Sequence, residues 1–295
     1  MRPRGRVLTF IRVDGHLVRV SVRGEGHPLL LIMGLGGNIE MWDPLEQALN
    51  ARGVQTIAYD ASGTGDSPAR LTPLRMHGLA SQAAHVLDAL GHPRADVLGV
   101  SFGGAVAQQL TIAHQHRIRR LVLASTTCGV GGVPGNPLAL SLLATPLRYY
   151  SPSFMRLTAN ILYGPRASDD QVLLGRQIAA RRARPPTLWG YVGQLVATAG
   201  WSSLPWLHRI RTPTLVLTGQ ADAVVPPVNA RILACRIPNA ELDIVPAAGH
   251  LLLMDHADLA ANRIAAFLER DVVGSAQTSS RTSSSAPEAD PTPES

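Results

Sequence analysis

The sequence predicts an α/β fold: a mostly parallel, twisted sheet flanked by helices, with a helical cap inserted in the middle of the chain. Three observations predict it. Short, almost wholly apolar runs alternate with segments of helical periodicity, the pattern of strands buried on both faces and joined by crossover helices. The alternation stops after Thr126 and resumes at Pro213. One apolar run leads straight into Gly99-Val100-Ser101-Phe102-Gly103, a Gly-x-Ser-x-Gly turn that opens a helix.

The elements follow in order. Residues 7–13 are rich in β-formers, Asp14-Gly15 is a turn pair, and Val18, Val20 and Val22 alternate with Arg19, Ser21 and Arg23. That is a hairpin signature. Apolar runs at 29–33, 54–59, 95–100 and 119–124 read as buried strands, with helices at 41–52, 74–90 and 102–114 between or after them. After the interruption come a strand at 214–218, a helix at 227–235, a strand at 241–245 and a last helix at 255–270. The segment between carries Tyr149, Tyr150, Phe154, Tyr163, Trp189, Tyr191, Trp201 and Trp206 but no strand signal. Such a concentration of aromatics serves either the insertion's own small core or an apolar substrate pocket, and both readings are open. The expected organisation is one core made of residues 1–127 and 209–271, a cap at 128–208, and a tail at 272–295. The tail is dominated by Ser, Thr, Pro and Ala and is expected to be disordered.

Composition removes several chemistries. All 27 basic residues of the 295-residue chain are arginine. Without lysine there is no Schiff-base nucleophile, no Gly-Lys-Ser/Thr phosphate loop and no kinase ion pair. Cys128 and Cys235 stand far apart, which excludes a disulfide framework and a clustered thiolate metal site and suits a reducing compartment. Arg2, Arg4 and Arg6 precede an apolar run, but Arg12 and Asp14 interrupt it before signal-peptide length. No run approaches a membrane span. A soluble, cytoplasmic protein is expected. The net charge of +6 comes from scattered arginines, and the one small cluster, Arg181, Arg182 and Arg184, reads as a solvated face. No nucleic-acid partner is expected.

The Gly-x-Ser-x-Gly pattern is cheap alone, and its context gives it weight. A serine on a sharp strand-to-helix turn adopts an unfavourable backbone conformation, so its neighbours must lack side chains. Its hydroxyl then stands at the positive end of a helix. A hydroxyl needs a base, and the base an orienting carboxylate, in the order Ser, Asp/Glu, His. Asp222 follows the strand ending near Thr218, and His250 follows the strand ending near Val245. Both positions lie at strand carboxyl ends, where open α/β sheets assemble their sites. Asp243 and Asp255 are weaker rivals, one mid-strand and one only five residues beyond His250. His114 and His116 read as the end of a solvated helix. The loop Met33-Gly34-Leu35-Gly36-Gly37 brings backbone close to the serine, making the amides of Leu35 and Phe102 the expected oxyanion donors. The glycine loop at 60–67 lacks a phosphate-binding pattern and reads as structural. No metal motif is present and no cofactor is expected.

At this point the chain resembles the α/β-hydrolase superfamily over residues 6–270, and within it the intracellular medium-chain-length poly(3-hydroxyalkanoate) depolymerases. The resemblance rests on LIMGLGGN at 31–38, GVSFGGAVAQQ at 99–109, VPGNP at 133–137, GWSSLPWLHRI at 200–210, PTLVLTG at 213–219 and RIPNAEL at 236–242. It implies a serine esterase acting on 3-hydroxyacyl esters, with Ser101, Asp222 and His250 matching the family's triad. An apolar ester or polyester is the implied substrate, met at a granule surface. Two departures stand out: Phe102 where a Trp is expected after the nucleophile, and Ala61-Ser62 where many members carry an Arg. The competing readings are a small-molecule carboxylesterase or lactonase, and a non-catalytic ligand receptor on the same scaffold.

Overall fold

The structure is a computed structural model and describes residues 5–164 and 169–270. The predicted tail, Arg2 and Arg4 lie outside the described residues. Eight strands form one sheet: β1 (Val7–Val13), β2 (His16–Arg23), β3 (Pro28–Ile32), β4 (Gln55–Tyr59), β5 (Ala95–Val100), β6 (Ile118–Ala124), β7 (Thr214–Gly219) and β8 (Ala240–Val245). Their spatial order is β1-β2-β4-β3-β5-β6-β7-β8. The hairpin turns at Asp14 (φ 51°) and Gly15 (φ 77°), the left-handed pair that a two-residue turn requires. β2 pairs antiparallel with β4, and every neighbour from β4 to β8 is parallel.

Helices α1 (Asp43–Asn50), α2 (Met76–Ala89) and α3 (Phe102–His114) connect the first half, and α9 (Pro227–Arg236), α10 (Leu252–Asp255) and α11 (Ala257–Glu269) belong to the second. Successive side chains of a strand point to opposite faces. Leu29 and Leu31 of β3 accordingly join the core beneath α1 and α11, whereas Leu30 and Ile32 join the core beneath α2, α3 and α9. Two expected helices differ in detail. The one at 41–52 starts as a 3₁₀ turn, Ile39–Trp42, capped by Asn38, because Pro44 suits only the first turn of the α-helix proper. The one at 255–270 is broken at His256, whose backbone (φ −126°, ψ 43°) is not helical.

Among the described residues, five α-helices lie between β6 and β7: α4 (Pro137–Leu143), α5 (Leu147–Tyr150), α6 (Pro152–Tyr163), α7 (Gln171–Ala183) and α8 (Leu188–Thr198). Asn136, Ser151, Asp170 and Thr187 each accept an N-terminal amide of the helix that follows. This layer is fastened to the sheet by polar contacts. Asn38 Nδ2 donates to the carbonyls of Ala180 and Arg184, and Gln194 Oε1 accepts from the Gly36 amide at 2.7 Å. Arg184 pairs with Glu40 and Asp66. The arginine cluster therefore departs from expectation: Arg184 is ion-paired and half-buried, Arg181 is 1% exposed, and Arg182 is exposed. Adjacent helical residues point about 100° apart, so one run can serve three environments.

The glycine loop at 60–67 is organised by Asp60, whose carboxylate accepts from the amides of Ile39 and Asp66 and from Arg19. Burial pushes the Asp60 carboxyl up to about 6, against the pull of those donors. Because the folded state then holds this proton more tightly than the unfolded chain, its contribution is fully present below about pH 4 and is lost as pH rises through 6. The stability of the natural chain relative to Asp60→Asn is therefore expected to fall between pH 4 and 6, by at most on the order of 3 kcal/mol. It should be flat above that range. Urea unfolding of both proteins at stepped pH measures it, and a difference independent of pH would refute the assignment.

Candidate active site

β5 delivers Ser101, held at φ 54° and ψ −119°, to the N-terminus of α3. A non-glycine residue in that region is strained by about 1–3 kcal/mol, and the flanking glycines explain how the turn closes. A Cβ on Gly99 would meet the Gly103 carbonyl oxygen at 2.3 Å, and one on Gly103 would meet that of Ile32 at 2.0 Å. The Ser101 amide donates to the Ala124 carbonyl of β6, and Thr126 Oγ1 donates to the Ser101 carbonyl. The serine's backbone amide and carbonyl are thus tied to the end of β6 and to the loop that follows it.

Asp222 and His250 arrive from β7 and β8. The two loops are bonded together: Gln220 N donates to Val245 O and Ala221 N to Ala248 O, each at 2.9 Å. Asp222 Oδ1 accepts from the amides of Val224 and Val225 at 2.9 and 2.8 Å. Its other oxygen, Oδ2, accepts from His250 Nδ1 at 2.8 Å, and His250 Nε2 lies 3.1 Å from Ser101 Oγ. A carboxylate saturated by two amides can take only a donor at Oδ2, so the Nδ1–H tautomer is imposed. Nε2 is then left unprotonated, able to accept a hydrogen bond from the Ser101 hydroxyl. The rival Asp243 is ion-paired with Arg263.

Leu35 and Phe102 line the same cavity as Ser101. Among the described residues, neither of their amides donates to another protein group, as donors awaiting an oxyanion require. The Leu35 carbonyl is held from behind by Tyr149 Oη at 2.6 Å and Arg148 Nη2 at 2.9 Å, which orients the loop.

The cavity has a volume of about 460 Å³, within the usual range for small-molecule sites. The aromatics of the 128–208 segment divide between the two roles that were open. Tyr149, Tyr163 and Trp201 line the cavity, and Tyr191 is buried edge-on to Tyr149 at 6.2 Å. Tyr150, Trp189 and Trp206 are partly exposed. Sequence reasoning missed three polar residues. Asn229 of α9 bridges Val133 and Thr127 and shapes one wall. Arg148 and Arg181 stand in the cavity lining. No periodic pattern distinguishes these from surface residues; arginines enclosed by apolar and aromatic neighbours, as in Leu147-Arg148-Tyr149-Tyr150, are the only signal. Among the described residues no group of His, Cys, Asp and Glu is arranged to hold a metal, and no helix is long and apolar enough to cross a membrane.

The profile of the Alpha/beta hydrolase family matches residues 29–263. A poly(3-hydroxyalkanoate) depolymerase of Ectopseudomonas oleovorans is 39% identical over 272 residues, spanning 91% of this chain and 95% of that protein. A 2-hydroxy-6-oxo-6-phenylhexa-2,4-dienoate hydrolase of Burkholderia cepacia is 27% identical, over 84% of this chain and 89% of that one. Among solved structures, a hydrolase from Pseudomonas aeruginosa PA01 superposes with a TM-score of 0.75 at 28% identity, covering 89% of this chain and 98% of its own. The enol-lactonase from Burkholderia xenovorans LB400 shares the fold, with a TM-score of 0.77 at 22% identity over 89% and 100% of the two chains.

Proposed function

The chain belongs to the α/β-hydrolase family, and from that premise we propose that it hydrolyses 3-hydroxyalkanoate oligoesters or polyester through an acyl-enzyme on Ser101. The observation that carries this reading is the hydrogen-bonded series Asp222, His250, Ser101, at 2.8 and 3.1 Å, opening on a largely apolar cavity. His250 Nε2 takes the serine proton while Oγ bonds to the ester carbonyl carbon. The amides of Leu35 and Phe102 receive the oxyanion. Collapse of the tetrahedral intermediate breaks the C–O bond to the alcohol, which leaves with the proton returned from His250. Water, deprotonated by the same imidazole, then releases the acid. Asp222 holds the tautomer and stabilises the imidazolium.

The substrate class follows from the depolymerase relative, whose similarity runs through the cap segment as well as the sheet. Leu188, Trp189, Val192 and Val196 leave apolar surface exposed on α8, which suits contact with a polyester granule in the cytoplasm. Turnover of a 3-hydroxyalkanoate oligomer and of a short nitrophenyl ester is the discriminating comparison. A higher kcat/KM on the oligomer is expected. Turnover of the nitrophenyl ester alone would make the protein a small-molecule esterase, and fluorophosphonate labelling without any turnover would make it a receptor.

A further inference from the structure

Two buried arginines of the cavity wall take no part in the proton transfers of the reaction, although Arg148 orients the Leu35 loop. Arg181 of α7 is 1% exposed and Arg148 of α5 is 5% exposed, and both line the cavity that contains Ser101. Among the described residues neither has a carboxylate within ion-pair distance. Arg19, comparably buried, has both Asp60 and Glu40. The Arg181 head group donates from Nη1 to Gln177, but its Nε has no hydrogen-bond partner. Its guanidinium carbon lies 5.1 Å from the centre of the Tyr163 ring, and the Tyr163 hydroxyl is likewise buried without a partner. Arg148 rests 4.9 Å from the Tyr149 ring centre and holds the Leu35 carbonyl, one residue's width from the Leu35 amide.

A desolvated guanidinium with an unpartnered donor, here Arg181 Nε, is costly unless an anion completes it. Its planar fork matches carboxylates and phosphates, and of these an ester chain carries the carboxylate. The cavity is otherwise largely apolar, its other polar side chains being Ser101, His250, Thr127, Thr198 and Asn229. We propose that Arg181 and Tyr163, with Arg148 alongside, form a carboxylate subsite for the free acid end of the substrate. The inference rests on the oligoester reading and sharpens it. In a linear 3-hydroxyacyl chain only one end carries a carboxylate, and the ester next to that end is a few bonds away from it. Hydrolysis there adds water across the acyl–oxygen bond: the terminal hydroxyacid leaves with its carboxylate, and the shortened chain acquires a new one. The shortened chain is then itself a substrate, so the enzyme works inward from the acid end.

The test measures binding of a linear 3-hydroxyhexanoate dimer and of its methyl ester to the full chain carrying Ser101→Ala, by titration calorimetry near pH 7.5. The acid is expected to bind about 10-fold tighter or more, and adding Arg181→Gln is expected to bring the two affinities together. Equal affinities in the protein that retains Arg181 would overturn the subsite, and that comparison stands even if the arginine variant fails to fold. Loss of affinity for both ligands alike in a folded Arg181→Gln protein would also overturn it, since a packing role requires no carboxylate. Failure of the oligoester reading shows separately, as absence of turnover of either dimer by the unsubstituted enzyme.

Discussion

Ser101→Ala is expected to lower ester turnover by about 10⁶-fold while leaving the unfolding midpoint unchanged. The loss is large because the remaining groups have nothing to act on: His250 has no proton to accept, and no acyl-enzyme can form. What survives is catalysis by the oxyanion amides and by substrate binding, roughly 10³–10⁴ over water. Stability is preserved because the removed hydroxyl makes only the 3.1 Å contact with His250, whereas the turn is held by backbone bonds to β6 and by the glycines at 99 and 103. Alanine and serine bear the same strain at φ 54°. The check is kcat for a nitrophenyl ester alongside a thermal melt. Near-full activity would remove Ser101 as nucleophile; lost activity with a lowered melting point would leave folding, rather than chemistry, as the cause.

The sheet is legible in the sequence because a parallel strand covered on both faces must be apolar throughout, a pattern few other structures impose. The meeting of Ser101, Asp222 and His250 is legible for a related reason. Each follows the carboxyl end of a strand, and parallel strands bring those ends to one edge regardless of separation in the chain. The helices of the 128–208 segment are less so, although their capping residues Asn136, Ser151, Asp170 and Thr187 are visible. Apolar residues such as Leu157 and Trp189 are exposed on them, which blurs the amphipathic period. Arg148 and Arg181 are the least legible of all. Arg181 and Arg182 are chain neighbours of identical chemistry, yet one is enclosed and the other faces solvent, and the packing of α7 against α5, α6 and the 3₁₀ turn Ile39–Trp42 decides which.

Asp222→Asn tests the imidazole's tautomer rather than its presence. The amide is nearly isosteric, and its carbonyl oxygen can keep the two bonds that Oδ1 receives from Val224 and Val225. Its NH₂ group then faces His250 Nδ1, which is forced to accept. The single proton of the neutral ring moves to Nε2, and Nε2 can no longer take the serine proton. A fall in kcat of about 10⁴ with little change in KM is the expected result, because the defect appears only as charge develops on the ring. Since serine and acid act through one proton transfer, Ser101→Ala/Asp222→Asn should be no slower than Ser101→Ala alone. An Asp222→Asn enzyme within a few-fold of normal would mean that another group, of which the buried Asp255 is the nearest in sequence, orients His250. A double variant slower than either single one would mean that Asp222 acts on something other than the serine's base.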